Sequence, residues 1–438
     1  MRWGKVTLGE LLVESRIPCE NPDPNRRIRV KLHVQGVEKR PFENEMKGAT
    51  TQFIRKAGQF IYGKQNLHKG AFGVIPNELD GFETSADIPS FDVREDCLPE
   101  WIYYYFKSGN RYLELEKLAR GVGSQRIHPK QIYDIKIPFP PKEIQRELIQ
   151  RINTNELKFN EFVDEQFQQL NLLKKLRHQI LQDAVQGKLV PQDFNDEPAS
   201  VLLERLKAEK EKLVRQKKIR QGKLQEAEFQ EDLLFEIPKN WSWCNLDDIC
   251  YNITDGTHQT PTYTKTGRIF LSAQNVKPFK FMPEVHKYVG EQAYQEYIKN
   301  RKPELNDILV ARVGAGIGEA AVINHEIDFS FYVSLGLIQP FKQSANSDFI
   351  TLVINSPYGV KYAKGNISSK GGSAGNFNLG RIRSFQIPFP PLKEQQCILD
   401  KVEQLMTFCD ELEQSIQQSQ KYTQNLLQVA LKEALESN

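Results

Sequence analysis

A run of hydrogen-bonding side chains between residues 251 and 263 is the part of the chain best suited to reading another molecule. It reads Tyr-Asn-Ile-Thr-Asp-Gly-Thr-His-Gln-Thr-Pro-Thr-Tyr, and Pro261 restricts its backbone. The edges of DNA bases require side chains that donate and accept hydrogen bonds. Thr257, His258 and Gln259 are therefore candidate contacts to DNA. The composition also fits an ordinary polar loop, and the segment alone does not separate the two interpretations.

Three other polar or basic segments offer similar groups. They are Lys64–Gly70, Ser124–Arg126 and the glycine-rich loop Ser368–Ser373, whose backbone amides could meet phosphate. Arginine and lysine suit guanine, whereas asparagine and glutamine suit adenine. The remaining candidate DNA contacts are Lys64, Asn66, Lys69, Gln125, Arg126, Asn275, Arg312, Ser369, Lys370 and Ser373.

No convincing catalytic motif occurs in the sequence. The segment Val313–Gly318 lacks the glycine spacing of a dinucleotide loop and is predicted to be a turn, and no P-loop motif is present. Ser356-Pro357-Tyr358 differs from the Asn/Asp-Pro-Pro-aromatic loop of amino-methyltransferases. Asp92, Glu95 and Lys107 can be assembled into a nuclease-like set, but such sets arise by chance. The sequence therefore favours binding without chemistry and without a cofactor of its own.

The bulk composition indicates ordered globular domains. The chain of 438 residues is longer than a domain with a single hydrophobic core usually is, so we expect more than one domain. A formal net charge of +3 means that contact with nucleic acid must rest on a local basic surface. Six cysteines without CxxC pairs indicate reduced thiols and no metal site. With no long apolar run and no signal-peptide stretch, the sequence predicts a soluble intracellular protein.

The elements that must position the polar segments are duplicated. The pentapeptide Ile-Pro-Phe-Pro-Pro occurs at Ile137–Pro141 and again at Ile387–Pro391, 250 residues later. Leu148 pairs with Ile398 at the same offset, while the sequences between such landmarks diverge. Short strand-like runs separated by glycine, asparagine and proline predict a mixed α+β domain before each pentapeptide. We therefore expect one scaffold, used twice, with a different surface on each copy.

A long helix is predicted after each pentapeptide, because no proline or glycine interrupts the sequence there. The helices span Lys142 to about Gln186 and Leu392 to about Glu436. Apolar residues recur at alternating steps of four and three, the spacing of a coiled coil. The predicted contact residues are Leu148, Ile152, Phe159, Phe162, Leu176, Ile398, Val402, Leu405, Leu412 and Leu426. Since one such helix alone would expose an apolar stripe, we expect the two to pair as an antiparallel coiled coil.

These patterns divide the chain into five segments. Two mixed α/β domains, 1–141 and 236–391, are each followed by a helical segment, 142–187 and 392–438, and residues 188–235 connect the halves. The connector has nine basic residues and only two acids between Arg205 and Lys223. This composition is typical of a solvated helix or flexible linker, and it also fits an arm that faces phosphate or a partner protein.

Taken in order, these motifs resemble the specificity subunit of type I restriction-modification systems. The resemblance rests on the doubled pentapeptide with its helices and on three further motifs, Gly70–Pro76, Gly187–Gln192 and Asp255–Pro261, and it covers essentially the whole chain. It implies two target-recognition domains, each reading one half of a bipartite DNA site, and a helix pair that sets the spacer between the halves. It also implies that this subunit has no catalytic residues.

The resemblance further implies partners and cofactors. The expected partners are double-stranded DNA, two modification subunits that dock on the helices, and restriction subunits that join that core. S-adenosylmethionine, ATP and Mg²⁺ would bind only to those partner subunits, and the complex would act in the cytoplasm.

Two alternatives from other functional classes stay open at this point. The chain could be the recognition half of a fused methyltransferase or nuclease, or a coiled-coil adaptor that never touches DNA. Methyl transfer by the isolated chain would support the first alternative. Failure to bind any duplex alongside modification subunits would support the second.

Overall fold

The computed structural model describes residues 3–41, 50–121, 125–219, 222–224, 235–367 and 375–436 of the chain. These residues form two compact units. Unit 1 comprises Met1–Gln169 and Ser415–Asn438, and unit 2 comprises Leu170–Gln414. Each unit therefore contains a part of both long helices that the sequence predicts.

Unit 1 is a mixed α+β unit built from short elements. Its strands are β1 (Lys5–Thr7), β2 (Leu12–Ser15), β3 (Ile17–Pro18), β4 (Ile28–Val30), β5 (Val37–Lys39), β6 (Gln52–Ile54), β7 (Phe60–Tyr62), β8 (Phe72–Val74), β9 (Glu83–Ser85), β10 (Ser90–Val93) and β11 (Lys136–Pro138). Its helices are α1 (Leu8–Leu11), α2 (Pro99–Lys107), α3 (Pro129–Ile132) and the first part of α4 (Lys142–Val185). Between α2 and α3, Ser108–Leu118 form 3-10 turns with a kink at Gly109 and Asn110, whose backbone angles are left-handed.

The central sheet of unit 1 is antiparallel, with the strand order β2-β10-β7-β8. Its middle is apolar on both faces, since all three residues of β7 are fully buried. Helix α2 packs Trp101 and Phe106 into the same core. A separate ladder pairs β1 with β11, so that Val6 lies opposite Ile137 of the first pentapeptide. The pentapeptide thus closes the unit before α4 begins.

Unit 2 uses the same classes of element. Its strands are β12 (Ser242–Asn245), β13 (Cys250–Asp255), β14 (Tyr263–Thr264), β15 (Arg268–Leu271), β16 (Val276–Lys277), β17 (Lys280–Phe281), β18 (Lys287–Val289), β19 (Ile308–Ala311), β20 (Ala320–Val322), β21 (Phe329–Phe331), β22 (Leu335–Pro340) and β23 (Gln386–Phe389). Its helices are α5 (Ala199–Arg215), α6 (Glu291–Ile298), α7 (Ser347–Asn355), α8 (Pro357–Gly365), α9 (Leu379–Arg383) and the first part of α10 (Leu392–Glu436).

The two units share one sheet topology. Unit 2 has a central sheet of order β13-β22-β19-β20 and a ladder β12-β23, which match β2-β10-β7-β8 and β1-β11 strand for strand. The predicted duplication is therefore confirmed at the level of the sheets. Unit 2 adds a second four-stranded sheet, β14-β18-β15-β21, in which β15 and β21 run parallel. Gly314 and Gly318 have positive φ in the predicted turn between β19 and β20.

A buried glutamine braces the pentapeptide in the same way in each unit. In unit 1, Gln145 accepts from the Leu98 backbone N–H at 2.8 Å and donates to the Pro140 carbonyl at 2.9 Å. In unit 2, Gln395 accepts from Asn346 N–H and donates to the Pro390 carbonyl. Proline lacks an N–H and leaves neighbouring carbonyls without strand partners, so a buried amide side chain satisfies them.

The helices α4 and α10 pack together in unit 2 with antiparallel directions. Arg177 of α4 pairs with Asp410 of α10 at 2.6 Å. Further along the chain, Gln192 donates to Glu394 at the start of α10, at 2.6 Å. Because residues later than Arg177 meet residues earlier than Asp410, the two chain segments run in opposite directions.

The other ends of the same two helices pack together in unit 1. Ile152 of α4 and Leu431 of α10 are both buried in the core that contains Trp101. Leu148 and Leu427 lie partly buried against the same core. The predicted pairing of the two long helices is therefore confirmed in each unit.

Burial along α4 keeps the predicted seven-residue spacing, since Ile152, Gln166, Leu173 and Ile180 are buried, but several of the predicted contact residues lie outside the buried line. Along α10, Ile398, Cys409 and Leu431 are buried, and Gln420 between them is half-buried. An α-helix drifts about 20° per seven residues, so over many turns the buried line departs from a strict seven-residue frame. The predicted contacts Leu176, Leu412 and Leu426 are consequently exposed. Of the others, Ile152, Ile398 and Val402 are buried, and Leu148, Phe159, Phe162 and Leu405 are half-buried.

Candidate nucleic-acid interface

The polar loop that follows β13 is held against β21 in unit 2. Gly256 has no space for a side chain, because a Cβ atom there would lie 2.2 Å from the Phe331 carbonyl oxygen. Thr257 donates its N–H to that carbonyl, and Val333 donates back to the Thr257 carbonyl. A glycine that allows this close approach, followed by two backbone hydrogen bonds, fixes where the loop leaves the sheet.

Two arginines lock the same loop from inside the unit. Arg312, which follows β19, is only 4% exposed and donates to Asp255 at 2.5 Å and to two backbone carbonyls, those of Val333 and Phe377. Arg301 donates to the carbonyls of Asp255 and Gly256 at 2.9 and 2.6 Å. Burial lowers the pKa of the Arg312 guanidinium, and the adjacent Asp255 carboxylate opposes that change. The loop is thus preorganised by charge-assisted hydrogen bonds.

The tip of the loop presents three polar side chains to solvent. His258, Gln259 and Thr260 are exposed, and the side chain of His258 is 70% accessible. The Nε2 atom of His258 lies 3.2 Å from Asp255 Oδ2, so the carboxylate that binds Arg312 also orients the imidazole. Thr257 is buried and accepts from the Gln259 N–H at its hydroxyl, which shapes the turn. A fixed loop with exposed donors and acceptors is what base-edge contact requires.

Asn275 and Arg312 were predicted to contact DNA, and the structure places both inside unit 2. The amide of Asn275 donates to the carbonyls of Met282 and Val285 at 2.8 and 2.7 Å and accepts from Ser272 N–H. Its side chain closes a turn and is 1% exposed. Arg312 is likewise satisfied by protein groups. Both side chains are therefore hydrogen-bonded inside unit 2, and neither belongs to its exposed polar surface.

Lys64 of unit 1 occupies the position that Arg312 occupies in unit 2. Each follows the buried central strand of its sheet, β7 or β19. The Lys64 carbonyl accepts from Ile127 N–H, as the Arg312 carbonyl accepts from Phe377 N–H. Burial lowers the pKa of the Lys64 ammonium, and the negative charges of Glu14 and Asp87 oppose this. A cation at the same edge of both sheets is therefore part of the shared scaffold.

The other unit 1 candidates are more accessible than Lys64. Lys69 and Gln125 are exposed, while Asn66 and Arg126 are half-exposed. Arg126 pairs with Asp87 at 3.4 Å, next to the segment where Lys64 donates its N–H to the Asp87 carbonyl. The structure thus brings Lys64, Arg126 and Asp87 together at one edge of the sheet.

Three residues of these sites escaped the sequence prediction. Asp255 and Arg301 hold the unit 2 loop. Arg16 takes the place of Asp255 in unit 1, since Ser15 of β2 and Thr254 of β13 hold equivalent positions and the next residues are Arg16 and Asp255. Arg16 pairs with Glu14 at 3.0 Å and is largely exposed. Asp255 could have been found from its place before a glycine in the polar run, whereas Arg301 carries no local signal. Ser369, Lys370 and Ser373 lie outside the described residues, as does Ser124.

Other chemistries find little support in the described ranges. No group of three or more histidine, cysteine or acidic side chains there could hold a metal ion, and no helix there is long and apolar enough to cross a membrane. Asp92 accepts from Gln59 at 2.9 Å, and Lys107 pairs with Glu156 at 2.7 Å, so these members of the nuclease-like set have separate partners. Burial raises the pKa of the Cys97 thiol to about 12. This thiol is therefore unreactive at neutral pH.

Comparison with known proteins identifies one family along most of the chain. Residues 42–171 and 238–420 match the model of the type I restriction modification DNA specificity domain. Relatives include the type I restriction enzyme EcoAI and EcoEI specificity subunits of Escherichia coli, which are each 33% identical over 270 and 276 residues. These alignments cover 59% of this chain but 44% and 43% of the relatives. The chain thus spans less than half of the length of these two proteins.

Solved structures share the fold over the full chain. A chain from a structure of the type I R-M system, solved to explain complex assembly and conformational transition, aligns with a TM-score of 0.61 and 15% identity. The alignment covers 100% of this chain and 98% of that chain. The HsdS subunit from Thermoanaerobacter tengcongensis aligns with a TM-score of 0.54 and 17% identity, covering 99% of this chain and 97% of that subunit. At these identities the likeness concerns the fold.

Proposed function

The chain belongs to the type I restriction-modification DNA specificity family, and we propose that it is the non-catalytic subunit that selects the DNA sequence for such a system. Each unit reads one half of a bipartite site in double-stranded DNA. The observation that carries this proposal is the use of one sheet scaffold twice, with a buried cation at the same edge and different polar loops around it.

Different loops on a common scaffold suit two different half-sites. Phosphate contacts orient a protein on DNA, and contacts to base edges carry the sequence information. In unit 2 the exposed tip formed by His258, Gln259 and Thr260 offers base-edge donors and acceptors. In unit 1 the exposed Lys69 and Gln125 offer a different set. The two units would therefore read different sequences in similar orientations.

The segment boundaries follow from this assignment. We take residues 1–141 and 236–391 as the two target-recognition domains, and residues 142–187 and 392–438 as the coiled coil that sets the spacer. Residues 188–235 link the halves. Exchange of 236–390 for the corresponding segment of another family member should change one half-site only. A change in both half-sites would contradict independent reading.

The exposed apolar residues of the long helices suit two copies of one partner. Leu172 and Leu176 are 62% and 44% exposed on α4, and Tyr422 and Leu426, 250 residues later on α10, are 59% and 68% exposed. Apolar side chains left in water at equivalent positions of a duplicated chain favour equivalent protein contacts. We assign them to two modification subunits. Restriction subunits would join that core.

Substitution of one apolar pair at a time tests this assignment. Leu172→Glu with Leu176→Glu, or Tyr422→Glu with Leu426→Glu, should reduce the number of bound modification subunits from two to one, measured by native mass spectrometry. The control is Gln168→Glu at an exposed polar position of α4. Two bound subunits in both double variants would place the docking surface elsewhere.

The cofactors follow from the division of labour among the subunits. S-adenosylmethionine, ATP and Mg²⁺ would bind to the modification and restriction subunits, because the chemistry of methyl transfer and DNA cleavage resides there. Because the assembled complex would act on chromosomal DNA, we expect it in the cytoplasm.

Mapping of methylated bases in host DNA, with and without this chain, tests the proposed function directly. A two-part methylation motif should be present with the chain and disappear without it. Methyl transfer by the purified chain alone would instead indicate a fused enzyme. Failure of the chain to bind duplex DNA together with its modification subunits would indicate an adaptor.

A further inference from the structure

The proposed function assigns no contact to the basic segment at the end of α5. Lys212 lies in the last turn of α5, and Lys217, Lys218 and Lys223 follow the helix. All four are exposed, and within the described part of the chain they form no ion pair. Glu211 is engaged by Arg215 at 3.2 Å, so it does not neutralise them.

Helix α5 is anchored along unit 2, which fixes the direction in which this segment points. At its start, Ala199 N–H donates to the Asn240 carbonyl. Leu202 and Leu206 are buried in the main core of unit 2. Two residues before Lys212, Lys210 bonds Asp247 at 2.7 Å. The helix is therefore a rigid support, about 25 Å long, and not a free linker.

A chain of contacts connects the end of α5 with the polar loop. A Cβ atom on Gly222 would lie 2.6 Å from Arg383 Nε, so the segment after α5 packs directly on Arg383. Arg383 donates to the Ile253 carbonyl at 2.5 Å. Ile253 lies in β13, two residues before Asp255, which is about 7 Å along a strand. The charge of Arg383 is also close enough to Arg312 to add to the lowering of its pKa by burial.

The charges along α5 are distributed unevenly. At the start, Arg205 is paired with Glu197, and Lys393 of α10 lies 3.3 Å from Asp196 just before the helix. At the other end, where Gly222 packs on Arg383, the four lysines have no ion pair among the residues that the structure describes. Favourable interaction with the helix dipole accounts for Lys212 but weakens within the last turn. It does not account for the lysines beyond the end of the helix.

We propose that Lys212, Lys217, Lys218 and Lys223 form a phosphate-binding surface that contacts the DNA backbone beside the half-site read by unit 2. This inference rests on the proposed function and adds a sequence-independent contact to it. Helix α5 belongs to unit 2. The surface would therefore strengthen binding of one half of the site and read no bases.

The salt dependence of DNA binding provides the test. Each phosphate neutralised by a lysine contributes about 0.9 to the slope of log affinity against log salt concentration. The full chain, purified with its modification subunits, is titrated with a mixed-sequence duplex over a series of KCl concentrations. The variant carries Lys212→Gln, Lys217→Gln and Lys218→Gln. The control is Arg205→Gln, at the ion-paired end of the same helix.

We expect the triple variant to lose about 2–3 from the magnitude of the slope and roughly tenfold or more in affinity at low salt. The control should match the wild-type slope, and both variants should methylate the wild-type motif. An unchanged slope in the triple variant would overturn the proposal. Normal salt dependence with loss of bound modification subunits would assign the lysines to a protein partner, which also overturns it. If the wild-type complex itself fails to bind duplex, the proposed function fails instead.

Discussion

Unit 1 and unit 2 carry opposite charges at equivalent positions of one sheet. Where unit 2 has Asp255, which holds Arg312 at 2.5 Å, unit 1 has Arg16, which pairs with Glu14 and faces solvent. Lys64 takes the place of Arg312, and among the described residues its ammonium forms no ion pair like that of Arg312 with Asp255. The shared scaffold therefore determines where side chains stand at the sheet edge. The charges of the side chains at these positions differ between the two units.

A second pair of positions shows which features the scaffold retains. Gln59 of unit 1 donates to Asp92 at 2.9 Å across the sheet. In unit 2 the acid and the amide have exchanged strands, and Gln339 donates to Asp307 at 2.7 Å. In both units a buried glutamine amide is satisfied by the carboxylate across the sheet, which is exposed at Asp92 and buried at Asp307. The requirement is thus for complementarity between two strands, and either order of residues meets it.

The largest expected effect tests the feature in which the units agree. Gln145→Ala and Gln395→Ala should each lower the free energy of unfolding by about 3–5 kcal/mol, because each leaves two or three buried backbone groups without hydrogen bonds. Chemical denaturation of the full chain measures both. The control is Gln150→Ala on the exposed face of α4. If the two variants lost very different amounts of unfolding free energy, the two glutamines would not have the same structural role in the two units.

The next effect concerns a position where the units differ. Gly256→Ala should reduce affinity for the unit 2 half-site about a hundredfold, since its Cβ atom would clash with the Phe331 carbonyl and displace the loop. The equivalent unit 1 position is Ile17, which is already branched and partly exposed. Ile17→Ala should therefore leave unit 1 recognition unchanged. Binding of duplexes with one altered half-site measures each effect.

A smaller effect is expected when unit 2 is made to resemble unit 1. Arg312→Lys should weaken binding at the unit 2 half-site about tenfold, because an ammonium cannot reproduce the three directed bonds to Asp255, Val333 and Phe377. The matched control is Arg205→Lys, which retains its exposed pairing with Glu197. Wild-type affinity in Arg312→Lys would show that the loop does not need the guanidinium.

The smallest effect concerns the starts of the two long helices. Glu394 is buried in α10, where α4 has Ile144 at the equivalent position. Burial raises the pKa of Glu394, so its charge destabilises the folded state above the pKa of the unfolded chain. That penalty disappears as the pH falls through the raised pKa. Glu394→Gln should therefore be slightly more stable than wild type at neutral pH, and the difference should vanish near pH 4 in denaturation experiments.

The sequence predicted the scaffold better than the recognition surface. The pentapeptides and the uninterrupted helices depend on local backbone rules, so their positions followed directly from proline placement. The roles of Arg312 and Asn275 depend on partners that are distant in sequence, such as Phe377, which lies 65 residues from Arg312. The equivalence of Lys64 and Arg312 was hidden because loops of different length precede them. Spacing alone carries no signal for such pairs.

The prediction of contact residues between the two long helices was wrong at three positions for a related reason. Several lines of apolar residues run along α4 and α10, and a seven-residue frame selects one of them. Leu176, Leu412 and Leu426 satisfied that frame, but packing follows the helix's own turn of about 3.6 residues. Only the position of the partner helix decides which apolar line is buried. The exposed leucines then become candidates for contact with other proteins.

The helical turn of about 3.6 residues restricts how the two long helices can change length. Adding seven or eleven residues to both helices, about two or three turns, keeps each buried face within about 20° of its direction, and eleven residues add about 16 Å of helix. That increment is close to the rise of five base pairs of duplex. Natural lengthening should therefore proceed by nearly whole turns in both helices, because insertions of other lengths would rotate buried side chains into solvent.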